Sequence, residues 1–566
     1  MARKDKREIE IDEIFLDQKN SPGFRKENLE GMIENPVKKE MFWFLAAVIA
    51  ATFLFFGSRA YFLQIVNGEA FLARAEKNFL RAVSQRVERG IIYDRDMRPL
   101  AYNETAVSGG VRKYPPRGFL HVLGFLSYSG KEQGELAYGA SGLESSYDEV
   151  LRGEPAKGIE EVDAKGNVIG EGILEKGKPG ENILTSISYD LQQKLAEALD
   201  ETMRSRGFRG GAGVIMDARS GEILALVSAP EFDPNLLAGR NKPEEVNRIL
   251  GDAGKPFLNR AVSGLYAPGS IVKPALAAGA LFENIITPEE KILSTGSISL
   301  PNPYDPSRPN IFLDWKAHGW VDMRQALAQS SDVYFYEIGG GYQGRKGLGP
   351  WNIKKYLSMF GMDSKSGIDL PGEASGHLPD PLEKQGGRDW TVGDTYHISI
   401  GQGNISITPI EAAVYASAIA GEGAIVYPHL VTAVLDQNKK PVQVFSYPQK
   451  EKLALPPEIF RVIQDGMRAS ALRGTAAGLG GIPLEIAAKT GTAELGQKDR
   501  VNSWSIGFLP AGAPRLAFAI LLESGPRQNT IGATYVASEV FRWAADTGFL
   551  DTIDKQLFWE YNGGRE

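Results

Sequence analysis

The chain has 566 residues, too many for one ordinary domain, so two to four are expected. Its content of 43% hydrophobic and 23% charged residues is that of packed globular protein and argues against extensive disorder. A net charge of −7 gives no reason to expect a nucleic-acid partner, and the lack of cysteine excludes disulfides, thiol catalysis and thiolate metal sites.

Residues 1–40 are rich in charge and poor in periodicity, and read as a cytoplasmic tail. Met41 to Ser58 carries no charge, and about 18 residues make roughly 27 Å of helix, close to a bilayer core. The anchor is placed at 41–62. A buried core helix and a cleaved signal peptide are the alternatives. The run has no polar stripe, and the leader is too long for a signal peptide with no clean cleavage site after it. Arg25, Lys26, Lys38 and Lys39 precede the span, which predicts a cytoplasmic N-terminus, one pass through the inner membrane, and the rest of the chain outside. No ATP is available there, so any chemistry must draw on energy already stored in the substrate.

Residues 63–185 carry many glycines, charges and short apolar runs, and are read as a region of their own with the main boundary near residue 185. Asp190 to Met203 has apolar residues at helical spacing. Gly213–Asp217 and Glu222–Val227 flank the turn residues 218–221 and read as a hairpin. Leu484–Ala493, Ser503–Leu509 and Arg515–Leu522 are further strands, and Tyr535–Ala545 is a helix suited to covering a sheet. Between Pro230 and Gly480 the chain reads as mostly helical. The expected fold is α/β: an N-terminal transmembrane helix, a mostly-β pedestal, then residues 186–550 as an antiparallel sheet flanked by helices. In that sheet the first and last strands lie side by side, and residues 551–566 form a tail.

Three short motifs follow in order. Ser270-Ile-Val-Lys273 comes after a Pro-Gly turn and before an apolar run, so Ser270 is expected at a helix N-terminus with Lys273 on the same face. A hydroxyl needs a base to become a nucleophile, and a neutral lysine within reach supplies one. Ser330-Ser-Asp332 follows a helical run; Ser330 can relay a proton, and Asp332 can hold Lys273 or a substrate amide. Lys489-Thr490-Gly491-Thr492 ends a strand-like run. Lys489, Thr490 and Thr492 offer charge and hydroxyls to a carboxylate, while Gly491 admits a neighbouring backbone. The N–H groups of Ser270 and Thr492 together can form an oxyanion hole. Taken singly, the motifs also read as a capping serine, a helix cap and edge-strand residues; their joint order favours an acyl-transfer enzyme. The five histidines lack H-E-x-x-H spacing, which argues against a zinc hydrolase, and no phosphate loop is found.

These motifs resemble the class B penicillin-binding proteins, monofunctional transpeptidases of bacterial cell-wall synthesis. Arg89-Gly90-Ile-Ile-Tyr-Asp94-Arg95, Gly142-Leu-Glu144-Ser-Ser-Tyr147 and Leu151-Arg-Gly153 are similar to the pedestal of that family. Gly221–Ala225 and Pro230–Asn235 resemble the opening of its catalytic domain. Within class B, Asn259–Gly269, Asp314-Trp315, Gly393–Thr395 and Ile400–Gly403 resemble the elongation-type subgroup, penicillin-binding protein 2. Asp332 departs from the commoner S-x-N pattern.

The resemblance implies that Ser270 is acylated, Lys273 is its base, Ser330 is a relay, and Lys489 and Thr490 bind the carboxylate. It implies crosslinking of D-Ala-D-Ala stem peptides without a metal or organic cofactor, β-lactams as inhibitors, and a SEDS-family glycan polymerase as partner. Division-type crosslinking, D,D-carboxypeptidase action and a β-lactam receptor role use the same residues and remain alternatives.

Overall fold

The computed structural model describes residues 38–553, leaving out 73–79, 86, 105–110, 129–136, 163–167, 239–242, 303, 304, 306, 384–388, 449–451, 497 and 498. Arg25, Lys26, most of the expected N-terminal tail and the tail from residue 554 lie outside the described residues. Two compact units divide the chain: residues 1–83 with 159–172, and residues 84–158 with 173–566.

The first unit holds helix α1, Lys39–Tyr61, which continues as a π-helical turn through Val66. The apolar helix therefore runs from Lys39 to Val66, longer than the expected 41–62, and none of its apolar window is buried inside the protein. A buried core helix is thereby excluded. Among the described residues it is the one helix long and apolar enough to cross a membrane, and its length, composition and exposure support a membrane anchor. The unit also contains most of a three-stranded sheet ordered Leu80–Gln85, Ala156–Val162, Val168–Glu175.

The second unit is built on two sheets. One has six strands in the order 441–444, 431–435, 182–185, 92–93, 99–104, 111–113. Beneath it, Glu144 is fully buried between two arginines. Its carboxylate accepts from Arg89 Nε at 2.6 Å and Arg112 Nε at 2.7 Å, and from the Tyr114 hydroxyl at 3.2 Å. Arg89 also pairs with Asp148. A buried charge is tolerated only when matched in this way.

The other sheet carries the site. Helix α2, Tyr189–Arg206, precedes strands β1, Gly210–Asp217, and β2, Ile223–Ala229. Strands β3, Ala487–Glu494, β4, Arg500–Leu509, and β5, Leu516–Pro526, come from the far end of the sequence. The order is β2-β1-β5-β4-β3, antiparallel throughout, so the first and last strands pair as expected. Alternate residues of β1 serve two cores. Ile215 joins Leu195, Leu199, Phe518 and Val540, whereas Val214 and Met216 join Trp504, Ile506 and the helix Pro409–Ala420. Both faces are covered, which is why every residue of β1 is buried.

The segment 230–480 is less uniformly helical than expected. It contributes two short hairpin sheets, pairing Ile292–Ser294 with Gly319–Val321 and Ser297–Leu300 with Asn310–Leu313, besides the strands at 431–444. Strands of three or four residues are too short for an alternating pattern to show.

Candidate active site

Ser270 lies in a 3-10 turn, Gly269–Val272, that runs directly into helix α3, Lys273–Phe282. Pro274 sits in the first turn of α3, where no backbone N–H is needed. Ser270 is thus one turn ahead of the α-helix rather than at its first residue. Residues three apart eclipse in a 3-10 turn, so Ser270 and Lys273 stay on one side. The turn is clamped from several directions. Gly269 N–H donates to Gly401 O at 2.9 Å, and Trp504 Nε1 donates to Ala267 O at 3.0 Å. A Cβ on Gly491 would stand 2.7 Å from Pro268 O, so the glycine of the third motif lets β3 approach this turn as expected.

Ser330 closes helix α4, Met323–Gln329, in the left-handed conformation, with φ 58° and ψ 40°. Helix α5, Asp332–Gly340, begins two residues later, capped by Ser331, whose hydroxyl accepts from Tyr334 N–H. The helix-cap reading therefore holds for Ser331. The adjacent serine bears backbone strain of the kind that concentrates at functional sites.

Lys273 is fully buried and donates to three acceptors: Asp332 Oδ1 at 2.6 Å, Ser330 O at 2.8 Å and Ser330 Oγ at 3.3 Å. Its ammonium also lies 5.4 Å from the Phe335 ring centre. Lys489, equally buried in edge strand β3, shares a 2.8 Å hydrogen bond with Ser330 Oγ and donates to Thr490 O at 2.8 Å. One hydroxyl thus joins two amines that are 216 residues apart in the chain. Burial, reinforced by the charge of Lys273 and opposed by Asp332, pushes the Lys489 amine well below its ordinary range.

The expected contact of Asp332 with Lys273 is present at 2.6 Å, and three further features define the site. Lys273 bonds Ser330 and Asp332 rather than Ser270, whose half-buried hydroxyl has no hydrogen-bond partner among the described residues. The third motif lies in the middle of β3, inside the strand expected at Leu484–Ala493. Thr490 directs its hydroxyl to Thr475 Oγ1 at 2.7 Å, while Thr492 is exposed. Lys273, Ser330, Asp332, Lys489 and Thr490 thus form one connected network, and Ser270 and Gly491 meet it through the backbone of the 3-10 turn.

Sequence reasoning missed the supports of this network. Thr475 and Trp504 carry no motif of their own, and only the folded sheet brings them close. Asp314, noticed only through resemblance, fixes the second motif: Oδ2 accepts from the Ser331 hydroxyl at 2.8 Å and Val333 N–H at 3.0 Å. Burial pushes its carboxyl up, but those bonds, the Asp332 N–H and the Lys273 charge carry it below the usual carboxylate range. Among the described residues no group of three or more His, Asp and Glu side chains is placed to hold a metal ion.

An activatable serine, a lysine pair sharing a second serine, and an edge strand beside them form an acyl-transfer arrangement. Residues 211–542 match the penicillin binding protein transpeptidase domain, and residues 108–185 match the penicillin-binding protein dimerisation domain. The chain belongs to this transpeptidase family. It is 31% identical over 460 residues to peptidoglycan D,D-transpeptidase MrdA of Acinetobacter baumannii; the alignment covers 76% of this chain and 65% of that relative. Among solved structures it resembles Pseudomonas aeruginosa PBP2 in complex with WCK 5153, with a TM-score of 0.67, 28% identity, and coverage of 83% and 97%. It also resembles a chain of a peptidoglycan synthase complex described as coordinating polymerization and crosslinking, with a TM-score of 0.68, 26% identity, and coverage of 90% and 98%.

Proposed function

We infer that this protein is a peptidoglycan D,D-transpeptidase of the elongation type, working through a serine acyl-enzyme. The observation that carries the reading is the convergence of Lys273 and Lys489 on Ser330 Oγ, beside the turn that bears Ser270. Ser270 Oγ attacks the carbonyl between the two D-alanines of a stem peptide, and terminal D-alanine leaves. Lys273 takes the serine proton, Ser330 relays a proton to the leaving amine, and Lys489, Thr490 and Thr492 hold the donor carboxylate. Backbone N–H groups of Ser270 and Thr492 stabilise the oxyanion. An amine from a second stem then accepts the acyl group. A β-lactam follows the first step and stays attached.

The anchor Lys39–Val66 supports a membrane-tethered enzyme. Lys38, Lys39 and the basic residues before them favour a cytoplasmic N-terminus and an extracytoplasmic catalytic region at the inner membrane. Residues 63–185 serve as pedestal and 186–550 as the catalytic domain, with a SEDS-family polymerase as the glycan-synthesising partner. The likeness to a chain of a complex that couples polymerization to crosslinking supports that partnership.

The test is covalent labelling by fluorescent penicillin, followed by incubation with polymerised glycan. Wild-type protein becomes labelled and yields crosslinked stem dimers, and Ser270→Ala does neither. Persistent labelling of Ser270→Ala removes the nucleophile, and trimmed stems without dimers would make the enzyme a carboxypeptidase.

A further inference from the structure

We infer that Lys489 is uncharged in the empty site and takes up a proton when an anionic ligand, a donor peptide carboxylate or a β-lactam carboxylate, enters; this rests on the acyl-transfer reading above. The site holds two buried amines and one neighbouring carboxylate. Asp332 gives its Oδ1 to Lys273 at 2.6 Å. Lys489 has only neutral partners, the Ser330 hydroxyl and the Thr490 carbonyl, each at 2.8 Å. Among the described residues no carboxylate lies within ion-pair distance of Lys489, which has no exposed surface. An unmatched ammonium in such a place is strongly disfavoured.

Hydrogen-bond accounting gives the same answer. A Lys273 ammonium has three N–H groups and three acceptors: Asp332 Oδ1, Ser330 O and Ser330 Oγ. With its lone pairs turned to Lys273, the Ser330 hydroxyl is free to donate its own hydrogen to the lone pair of a neutral Lys489 Nζ. Lys489 then donates to Thr490 O. Every contact is satisfied by one positive charge. Two ammonium groups would instead occupy both lone pairs of that hydroxyl, bring two positive charges to one oxygen and leave the hydroxyl hydrogen with neither amine as acceptor.

The charged and titratable groups around Lys489 agree with this. Lys273 on α3 opposes a second cation, and Asp332 on α5 offsets it in part. Arg468, on the helix Pro457–Arg473, directs its guanidinium to Ile486 O at the start of β3 and adds positive charge. Glu494 lies five residues along the strand and is exposed. Asp314 is committed to Ser331, Val333 and His318. An arriving carboxylate supplies the counter-ion that Lys489 lacks. Nζ gains one proton from solvent, and no bond to carbon is made or broken in that step. The newly charged Lys489 then repels the Lys273 ammonium across Ser330 Oγ and favours release of a Lys273 proton to solvent, which leaves the neutral amine that takes the Ser270 proton. The site thereby recognises a free carboxylate by becoming charged only in its presence.

The experiment uses the full chain in detergent with carbon-13 at lysine Cε. The Lys489 resonance is assigned by its loss in Lys489→Arg. At neutral pH it is expected at the neutral-amine position in the empty protein and to shift to the ammonium position once benzylpenicillin has acylated the site. An ammonium resonance in the empty protein overturns the inference, as does an unmoved neutral resonance in the acyl-enzyme. Failure of penicillin to acylate wild-type protein would refute the acyl-transfer reading instead, and the empty-protein resonance would still decide the resting state.

Discussion

Asp332 Oδ1 stands 2.6 Å from Lys273 Nζ, and the pair spans the first residue of one helix and the first residue of another. The commoner asparagine at this position would offer a hydrogen bond without a counter-charge. Asp332→Ala removes both and leaves a buried lysine unmatched. Hydrogen bonds to charged groups contribute about 1.5–3 kcal/mol, so acylation by fluorescent penicillin is expected to slow roughly 10- to 100-fold. Asp332→Asn falls between the two. An unchanged acylation rate in both variants would mean that the pair does not poise the lysine.

Glu144 presents a stability test far from Ser270. Its carboxylate matches two buried guanidiniums, Arg89 and Arg112. Glu144→Ala strands Arg112 and leaves Arg89 only Asp148, and is expected to destabilise the protein by about 3–5 kcal/mol. Glu144→Gln keeps one acceptor and loses less. Urea denaturation followed by tryptophan fluorescence measures the difference, and a loss below about 1 kcal/mol would show that the arginines find other partners.

How far the sequence revealed this molecule follows the range of its interactions. The β1–β2 hairpin and the helix Tyr189–Arg206 were legible because turn residues and periodicity act over a few positions. The pairing of β1 with β5 followed from strands gathered at the two ends of one region. The strand pairing of the six-stranded sheet was not legible. Its central strands have two and four residues, and Asn182–Thr185 pairs with Val431–Leu435 about 250 positions away. The three motifs named the residues around Ser330, but their wiring depends on the left-handed turn at Ser330 and on where β3 passes. The expected hold of Asp332 on Lys273 is present at 2.6 Å, whereas among the described residues Lys273 makes no hydrogen bond to the Ser270 hydroxyl.

Glu411 predicts how stability changes with pH. Its carboxylate accepts from Gly376 N–H at 2.7 Å and Thr408 N–H at 2.7 Å, yet burial outweighs these bonds and raises its pKa from 4.5 to about 7. The folded state therefore favours the protonated acid. The stabilisation is fully present below pH 4.5 and is lost as pH rises through about 7, on the order of 3 kcal/mol at most. Glu231 is also raised to about 7 by burial and acts in the same direction. Glu411→Gln cannot titrate, so it lowers stability overall by removing an acceptor but reduces the decline by roughly half. Denaturation midpoints between about pH 5 and about pH 8 check this, and equal slopes for the two proteins would discount Glu411.

Gly401 predicts a catalytic defect through the backbone alone. It adopts φ +71°, and a Cβ there would collide with Gly269 O, the carbonyl immediately before Ser270. Its own carbonyl accepts the Gly269 N–H at 2.9 Å, so the two segments cannot separate without losing that bond. Gly401→Ala therefore combines left-handed strain of about 1–2 kcal/mol with displacement of the serine turn. Gly403 separates the two effects. It has φ +86°, but the nearest atom to its Cβ would be the His397 Cβ at 3.7 Å, an ordinary contact. Gly403→Ala is expected to lower the melting temperature and leave the acylation rate within about twofold. Gly401→Ala is expected to lower the melting temperature at least as much and to slow acylation at least about tenfold, since displacing the turn that bears the proposed nucleophile Ser270 raises the barrier. Equal acylation rates in the two variants would show that the 3-10 turn tolerates movement, and that the clamp at Gly269 does not position Ser270.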